Sequence, residues 1–354
     1  MRFYDALQLG PEVLKKQIRQ ADTPKSKHML QLAMITRSLL IVFLATALIG
    51  PVGPIFGAQN SCMAVVIFCL VLGIRFVDFG YCMSDALICL AISFFILLVM
   101  PILAVSSSPI IGALIHFIAI FVLMTITSDR PEMGNGGLFS FAYILMVGNP
   151  VSDILFWKRA LLTLIGYIIC ALIYFKNHRN KNTDVRFHSL ASKFHLSIKK
   201  CRWQFQMALG VSLLFALCSV LKVARMMWAG FACASMFGCY SGNIPTKVNE
   251  KFGQRLVGVV LGSAAFYVIF KLVPVQFHFV MGPLGGILLG FCAEYKYKTA
   301  MNCLGALMMA TGIYGLEYSV ILRILNNFFG AAFGFAFSLL YHKLITSRFD
   351  SDEK

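Results

Sequence analysis

Two similar segments of the chain place an arginine close to the start of a long apolar run. In ILRILNNFFG six residues separate Arg323 from Gly330, and in FWKRALLTLIG the same spacing separates Arg159 from Gly166. A charged side chain at the bilayer centre costs at least ~2.5 to 3.5 kcal/mol on insertion scales, so a retained one usually faces protein or water. Because a guanidinium matches a carboxylate in shape and charge, both arginines are candidate contacts for an organic anion.

Further polar residues in apolar surroundings extend this set. Asn326 and Asn327 lie one turn beyond Arg323 and could donate hydrogen bonds to the same anion, and Arg37 lies just inside the first apolar segment. A structural role stays open for each, because arginines near a segment end can reach the headgroups and asparagines can bond a neighbouring helix. Arg255 is interpreted as an anchor at the cytoplasmic edge of the membrane.

Two titratable residues are candidates for coupling transport to protons. His116 lies in the middle of an apolar segment, and a histidine titrates near pH ~6.5, which suits a proton relay. Glu294 ends a later segment. The alternatives are a neutral His116 bonded to a backbone carbonyl, and a surface ion pair between Glu294 and the neighbouring lysines.

Composition shows which elements must position these residues. Hydrophobic residues make up 59% of the chain and charged residues 13%, and the mean hydropathy is +0.78, which indicates an integral membrane protein. A window of roughly 19 residues finds twelve apolar segments in two sets of six. The first set covers residues 31–50, 60–77, 84–104, 109–128, 137–150 and 157–175. The second covers residues 204–222, 226–243, 255–273, 276–293, 299–315 and 319–341.

The pattern predicts an all-α polytopic membrane protein of about twelve transmembrane helices, with segments 137–150 and 299–315 weak enough to be re-entrant. The segment with Arg159 is the last of the first set, and the segment with Arg323 is the last of the second set. Because each set has an even number of segments, both enter the membrane in the same direction, as two parallel six-helix repeats.

Small residues recur at helical spacing and predict close helix packing. They are Gly230, Ala234, Gly238 and Gly242, then Gly258 and Gly262, then Gly282, Gly286 and Gly290, and finally Gly330 and Gly334.

The distribution of basic residues predicts the topology. Most Lys and Arg residues fall on the side that holds both termini, so both are expected inside the cytoplasmic membrane. The expected organisation is a cytoplasmic amphipathic segment 1–30, a repeat 31–175, a basic linker 176–203, a repeat 204–341 and a cytoplasmic tail 342–354. The amphipathic segment is expected to lie on the inner surface, with Leu14 and Ile18 toward lipid.

Several function classes are excluded by the same pattern. The net charge of +16 lies in loops beside membrane segments, which indicates membrane lipids rather than nucleic acid as a partner. The eleven cysteines form no C-x-x-C pair, and the histidines form no cluster at metal-ligand spacing. No nucleotide-binding or hydrolase motif is present, so we expect no enzyme activity, no metal and no cofactor.

The second half resembles a known family. KFGQRLVGVVLGSAAF places glycines three and seven residues after Arg255, and together with Arg323 and Gly330 it is similar to the motifs of the fusaric acid resistance and aromatic acid exporter superfamily. Plant aluminium-activated malate transporters are more distantly similar. The resemblance implies a secondary transporter that exports small organic carboxylates, often aromatic. Proton coupling and homodimerisation stay open, and the alternatives are an organic-anion channel and a non-transporting scaffold that docks a partner or lipid through the basic linker.

Overall fold

The computed structural model describes residues 2–191, 194–238, 240, 244–346 and 349, and the regular structure in these residues is helical. The helices of the first half are α1 (Phe3–Leu7), α2 (Pro11–Arg19), α3 (Pro24–Ile49), α4 (Val52–Phe56), α5 (Ser61–Ile74), α6 (Met83–Val105), α7 (Pro109–Thr127), α8 (Asn135–Val147) and α9 (Asp153–His178). Those of the second half are α10 (Phe187–Ala191), α11 (Lys199–Val220), α12 (Met227–Phe237), α13 (Ile244–Leu272), α14 (Met281–Leu289), α15 (Tyr295–Tyr314) and α16 (Leu316–Tyr341). Short 3₁₀ turns cover Ala58–Asn60, Pro131–Met133 and Val275–Val280, and a π-helical turn covers His342–Thr346.

Each of the twelve predicted apolar segments falls on a helix, but the helices differ in length. In the part of the chain that the structure describes, seven are long and apolar enough to cross a membrane. They are Pro24–Phe56, Met83–Val105, Pro109–Thr127, Asp153–His178, Lys199–Val220, Ile244–Leu272 and Leu316–Thr346. A helix such as α8, with 13 residues, rises only about 20 Å, less than the ~30 Å hydrocarbon core. The chain is therefore an all-helical membrane protein with seven candidate spanning helices, and the count of twelve stays a prediction.

The helices form two compact units, which do not follow the predicted repeat boundaries. Unit 1 contains Met1–Ala47 and Glu250–Phe328. Unit 2 contains Leu48–Asn249 and Phe329–Lys354. Each unit thus combines residues from both predicted repeats.

The core of unit 2 is built around the short helix α8. This helix packs against α5, α6, α7 and α12, and α7 also packs along α11. Phe139, Tyr143 and Ile144 of α8 are fully buried. Gly330 of α16 lies so close to α12 that an added Cβ would collide with the backbone of Ala229, which confirms the close packing predicted for this glycine.

Close packing also holds α13 against α15 in unit 1. An added Cβ at Gly258 would meet the Lys296 carbonyl oxygen, and one at Gly262 would meet the backbone of Ala300. Gly282, in contrast, faces open space, so its predicted packing role is wrong. Gly242 lies outside the described residues.

The amphipathic segment at the N-terminus packs on protein. Ala6 and Leu14 are fully buried against Leu30 and Ala33 of α3, with Ile18 at the edge of the same cluster. The expectation that Leu14 faces lipid is therefore wrong, because the first turns of α3 supply an apolar surface of their own.

The predicted linker 176–203 is tied to unit 2 by ion pairs. Arg186 lies 3.2 Å from the carboxylate of Asp85, at the start of α6. Lys181 lies 3.8 Å from the carboxylate of Asp78. Part of the positive charge of the linker is thus neutralised within the unit.

Candidate anion-binding site

A cleft of about 440 Å³ in unit 1 is lined by three arginines from three helices. Arg37 belongs to α3, Arg255 to α13 and Arg323 to α16. The other polar lining residues all belong to α15: Tyr295, Lys298, Thr299 and Asn302. None of the described lining residues carries a carboxylate, so the wall of this arginine cleft is positively charged.

Arg323 lies about two turns into α16, and 6% of it is exposed. Its guanidinium lines the cleft together with those of Arg37 and Arg255, and the like charges of Arg323 and Arg255 repel each other. An anion that enters the cleft lowers this repulsion and compensates for the water lost by the buried guanidinium. The environment of Arg323 thus favours a negatively charged ligand.

Two hydrogen bonds fix the guanidinium of Arg255. Its Nη1 donates to the phenolic oxygen of Tyr295 at 2.7 Å, and its Nη2 donates to Oδ1 of Asn327 at 2.8 Å. Asn327 in turn donates from Nδ2 to the backbone carbonyl of Arg323 at 2.8 Å. Asn327 therefore orients Arg255 and is not itself a lining residue. With 8% of its surface exposed, Arg255 is a buried member of the cleft, and its interpretation as an anchor at the membrane edge stays a prediction.

The sequence signal for Arg255 is the glycine spacing that follows it. Gly258 and Gly262 lie on the same helical face as Arg255, because residues three, four and seven apart align along a helix. These glycines bring α13 against the backbone of α15. The close approach is what places Arg255 within reach of Tyr295.

Two further candidates from the sequence differ in position. Arg37 is half-buried and lines the arginine cleft, and it forms no hydrogen bond or ion pair with any residue that the structure describes. Asn326 is 4% exposed and lies in α16 outside the lining of the cleft. Arg37 is therefore placed to bind a ligand, whereas Asn326 is buried within the helix packing.

Arg159 lies in unit 2, where acceptors of the protein surround it. Its Nε donates to Oδ1 of Asn60 at 2.8 Å, its Nη1 to the carbonyl of Asn149 at 2.6 Å, and its Nη2 to the carbonyl of Gln59 at 2.8 Å. The residue is 1% exposed. These bonds tie α9 to the Ala58–Asn60 turn and to the residues after α8.

His116 is buried between aromatic side chains of unit 2. Its Nδ1 lies 2.9 Å from the hydroxyl of Tyr143, and its ring packs 4.8 Å from that of Phe215. The hydrogen-bond partner is thus a phenol from α8 and not the backbone carbonyl considered from the sequence. A phenol can donate or accept, so either group can be the donor in this hydrogen bond.

Glu294 directly precedes α15 and lies 3.0 Å from the ammonium of Lys296. The hydrogen bond that the Lys296 ammonium donates to the Glu294 carboxylate raises the pKa of Lys296 above its ordinary value. Glu294 is 61% exposed, as in the surface ion pair considered from the sequence.

The long apolar helices define a multi-pass α-helical membrane protein. Residues 212–337 match the family described as fusaric acid resistance protein-like, which confirms the resemblance drawn from the sequence for this part of the chain. The matched segment includes Arg255 and Arg323, whereas Arg37 and Arg159 precede it. No curated protein and no solved structure matches the chain, and the likeness to plant malate transporters stays a prediction.

Proposed function

We propose that the chain is a secondary transporter that exports small organic carboxylates, aromatic ones among them, across the cytoplasmic membrane. The observation that carries the proposal is the arginine cleft, where three guanidiniums and an ammonium converge without a lining carboxylate among the described residues. Its volume of about 440 Å³ lies within the range of roughly 300 to 1,000 Å³ common for small-molecule sites.

In the proposed binding mode the carboxylate lies between Arg37 and Arg323, with Arg255 held beside them by its two hydrogen bonds. A hydrogen bond to a charged group contributes about 1.5 to 3 kcal/mol, so the two arginines can supply most of the affinity. Tyr295 provides an aromatic ring in the wall, and Asn302 provides an amide for further polar groups of the ligand.

The proposed membrane arrangement has twelve spans in two parallel repeats with both termini inside. Two features support it. Each predicted segment falls on a helix, and the closing helices α9 and α16 both have 26 residues with an arginine about two turns from the start. In this arrangement His116, paired with Tyr143, is the first candidate for proton coupling, and Glu294 is the second.

The test is efflux of preloaded radiolabelled benzoate from cells that carry the wild type, Arg323→Gln or Arg75→Gln at matched surface expression. Arg75 is exposed and belongs to unit 2, so its variant controls for loss of an arginine outside the cleft. We expect fast efflux with the wild type and Arg75→Gln, slow efflux with Arg323→Gln, and loss of efflux on addition of a protonophore.

Two other outcomes would contradict the proposal. Efflux that persists with the protonophore and is accompanied by a benzoate conductance would indicate an anion channel. Retention of benzoate by wild-type cells, equal to that of cells without the protein, would remove aromatic carboxylates as substrates and favour the scaffold.

A further inference from the structure

The N-terminal segment reaches the arginine cleft. Pro11, the first residue of α2, is one of the lining residues of the cleft. Glu12 follows it, and its carboxylate contacts the ammonium of Lys298, another lining residue. The Glu12 carboxylate, close to the N-terminus, thus lies beside the ammonium of Lys298 at the wall of the cleft.

Apolar packing keeps this carboxylate in place. Leu14, two residues beyond Glu12, is fully buried in the cluster with Ala6, Leu30 and Ala33. The position of α2 is therefore set by burial of its apolar face, which does not depend on the Glu12 contact. The ion pair can open or close without removing this packing.

We propose that Glu12 stands in for the carboxylate of the ligand at Lys298, and that an entering anion takes its place. Lys298 is then a ligand-binding residue, and the Glu12 side chain is a gate that occupies Lys298 in the absence of ligand. This inference rests on the proposed function, because it needs a carboxylate ligand for the cleft.

The exposure of the pair fits an exchange of this kind. Glu12 is 63% exposed and Lys298 33%, and an ion pair in contact with water is weak. A ligand held also by Arg37 and Arg323 has further partners that Glu12 lacks. Because Glu12 and the ligand compete for one ammonium, removal of the Glu12 charge must strengthen ligand binding.

The first experiment measures benzoate binding to the purified full-length protein in lipid nanodiscs. We expect Glu12→Gln to bind benzoate about two- to five-fold more tightly than the wild type, the range that corresponds to loss of one exposed ion pair. Asp22→Asn is the matched control, because it removes an exposed carboxylate from the same terminal segment, and it should leave affinity unchanged. In a Lys298→Gln background, where no ammonium is left to compete for, Glu12→Gln should have no effect.

The second experiment tests Lys298 as a ligand-binding residue with the single variant Lys298→Gln, which should bind benzoate more weakly than the wild type. Lys296→Gln is the matched control, because Lys296 lies on the same helix outside the lining of the cleft, and it should bind benzoate as the wild type does. Benzoate binding that is equal in the wild type and Glu12→Gln would overturn the gate and leave the proposed function intact. Absence of benzoate binding in the wild type and Glu12→Gln would overturn both.

Discussion

Arg159 and Arg323 occupy matching places in the helices α9 and α16, yet their surroundings differ. In unit 2, Arg159 donates to a side-chain amide and two backbone carbonyls, so each of its three guanidinium nitrogens has a protein acceptor. In unit 1, Arg323 lines a cleft that also contains Arg37 and Arg255. The first environment supplies acceptors for a positive charge, and the second gathers further positive charge around it.

This difference shows what spacing alone leaves undecided. The same arginine-to-glycine interval places both side chains at the same depth in their helices, but the neighbouring helices decide which groups face them. For Arg159 the neighbour is the Ala58–Asn60 turn, which offers the Gln59 carbonyl and the Asn60 side-chain oxygen as acceptors. For Arg323 the neighbours are α13 and α3, which carry the positively charged side chains of Arg255 and Arg37. We therefore expect Arg159 to stabilise the fold and Arg323 to bind the ligand.

The largest effect is expected for Arg159→Ala, which should destabilise the protein by about 3 to 5 kcal/mol. The substitution removes the donor of the buried Asn60 amide oxygen and of the Asn149 carbonyl, and it leaves the Gln59 carbonyl with the Cys62 thiol alone. A buried acceptor left unpaired costs about 1 to 3 kcal/mol, and loss of the large buried side chain adds to this cost. Equilibrium unfolding by SDS in mixed micelles, followed by circular dichroism, measures the change.

The control for this measurement is Arg75→Ala, because Arg75 is exposed and lies in the same unit. Its free energy of unfolding should stay within ~0.5 kcal/mol of the wild type. An Arg159→Ala protein as stable as Arg75→Ala would remove the distinction between the two arginine environments.

An intermediate effect is expected for Arg323→Gln, and on binding rather than on stability. Loss of one charge-assisted hydrogen bond, worth about 1.5 to 3 kcal/mol, should raise the benzoate Kd roughly 10- to 100-fold. The free energy of unfolding should fall less than in Arg159→Ala, because the substitution also removes the repulsion from Arg255. Isothermal titration calorimetry and the same SDS unfolding assay give both quantities. Unchanged affinity together with a large loss of stability would assign Arg323 to the same structural class as Arg159.

The sequence was sufficient for much of the fold because the bilayer imposes a strong constraint. Apolar runs of a given length must be helical, so all twelve segments coincide with helices. Hydropathy does not say which helices pack together. The partition into two units, each drawing on both halves of the chain, depends on contacts between distant segments such as α3 and α14, where Gly286 lies against Val42.

The candidate site was predicted in part for a similar reason. Arg37 and Arg323 are visible as charges in apolar runs, and the structure brings them into one cleft. Arg255 was assigned to the membrane edge because it begins an apolar segment, whereas α13 begins at Ile244 and carries Arg255 three turns inside the helix. The contribution of Glu12 had no local signal at all, because its partner Lys298 is far away in the sequence.

The smallest effect is expected for Tyr295→Phe, which tests whether Arg255 takes part through its orientation. The phenolic oxygen accepts a hydrogen bond from Arg255 Nη1 at 2.7 Å, and its removal takes away one of the bonds that orient the guanidinium. Since a typical hydrogen bond contributes about 0.5 to 1.5 kcal/mol, the benzoate Kd should rise about two- to ten-fold.

Tyr297→Phe is the matched control for that substitution, because Tyr297 lies on the same helix but is 46% exposed and does not line the cleft. Its variant should bind benzoate as the wild type does. If both variants bind equally well, Arg255 is held firmly enough without the Tyr295 hydroxyl, and Tyr295 contributes only its ring to the wall. Suppose instead that Tyr295→Phe weakens binding and that the double variant Tyr295→Phe/Arg323→Gln binds little more weakly than Arg323→Gln alone. Arg255 and Arg323 then act on the ligand as one unit, since independent contacts would give additive losses of binding free energy.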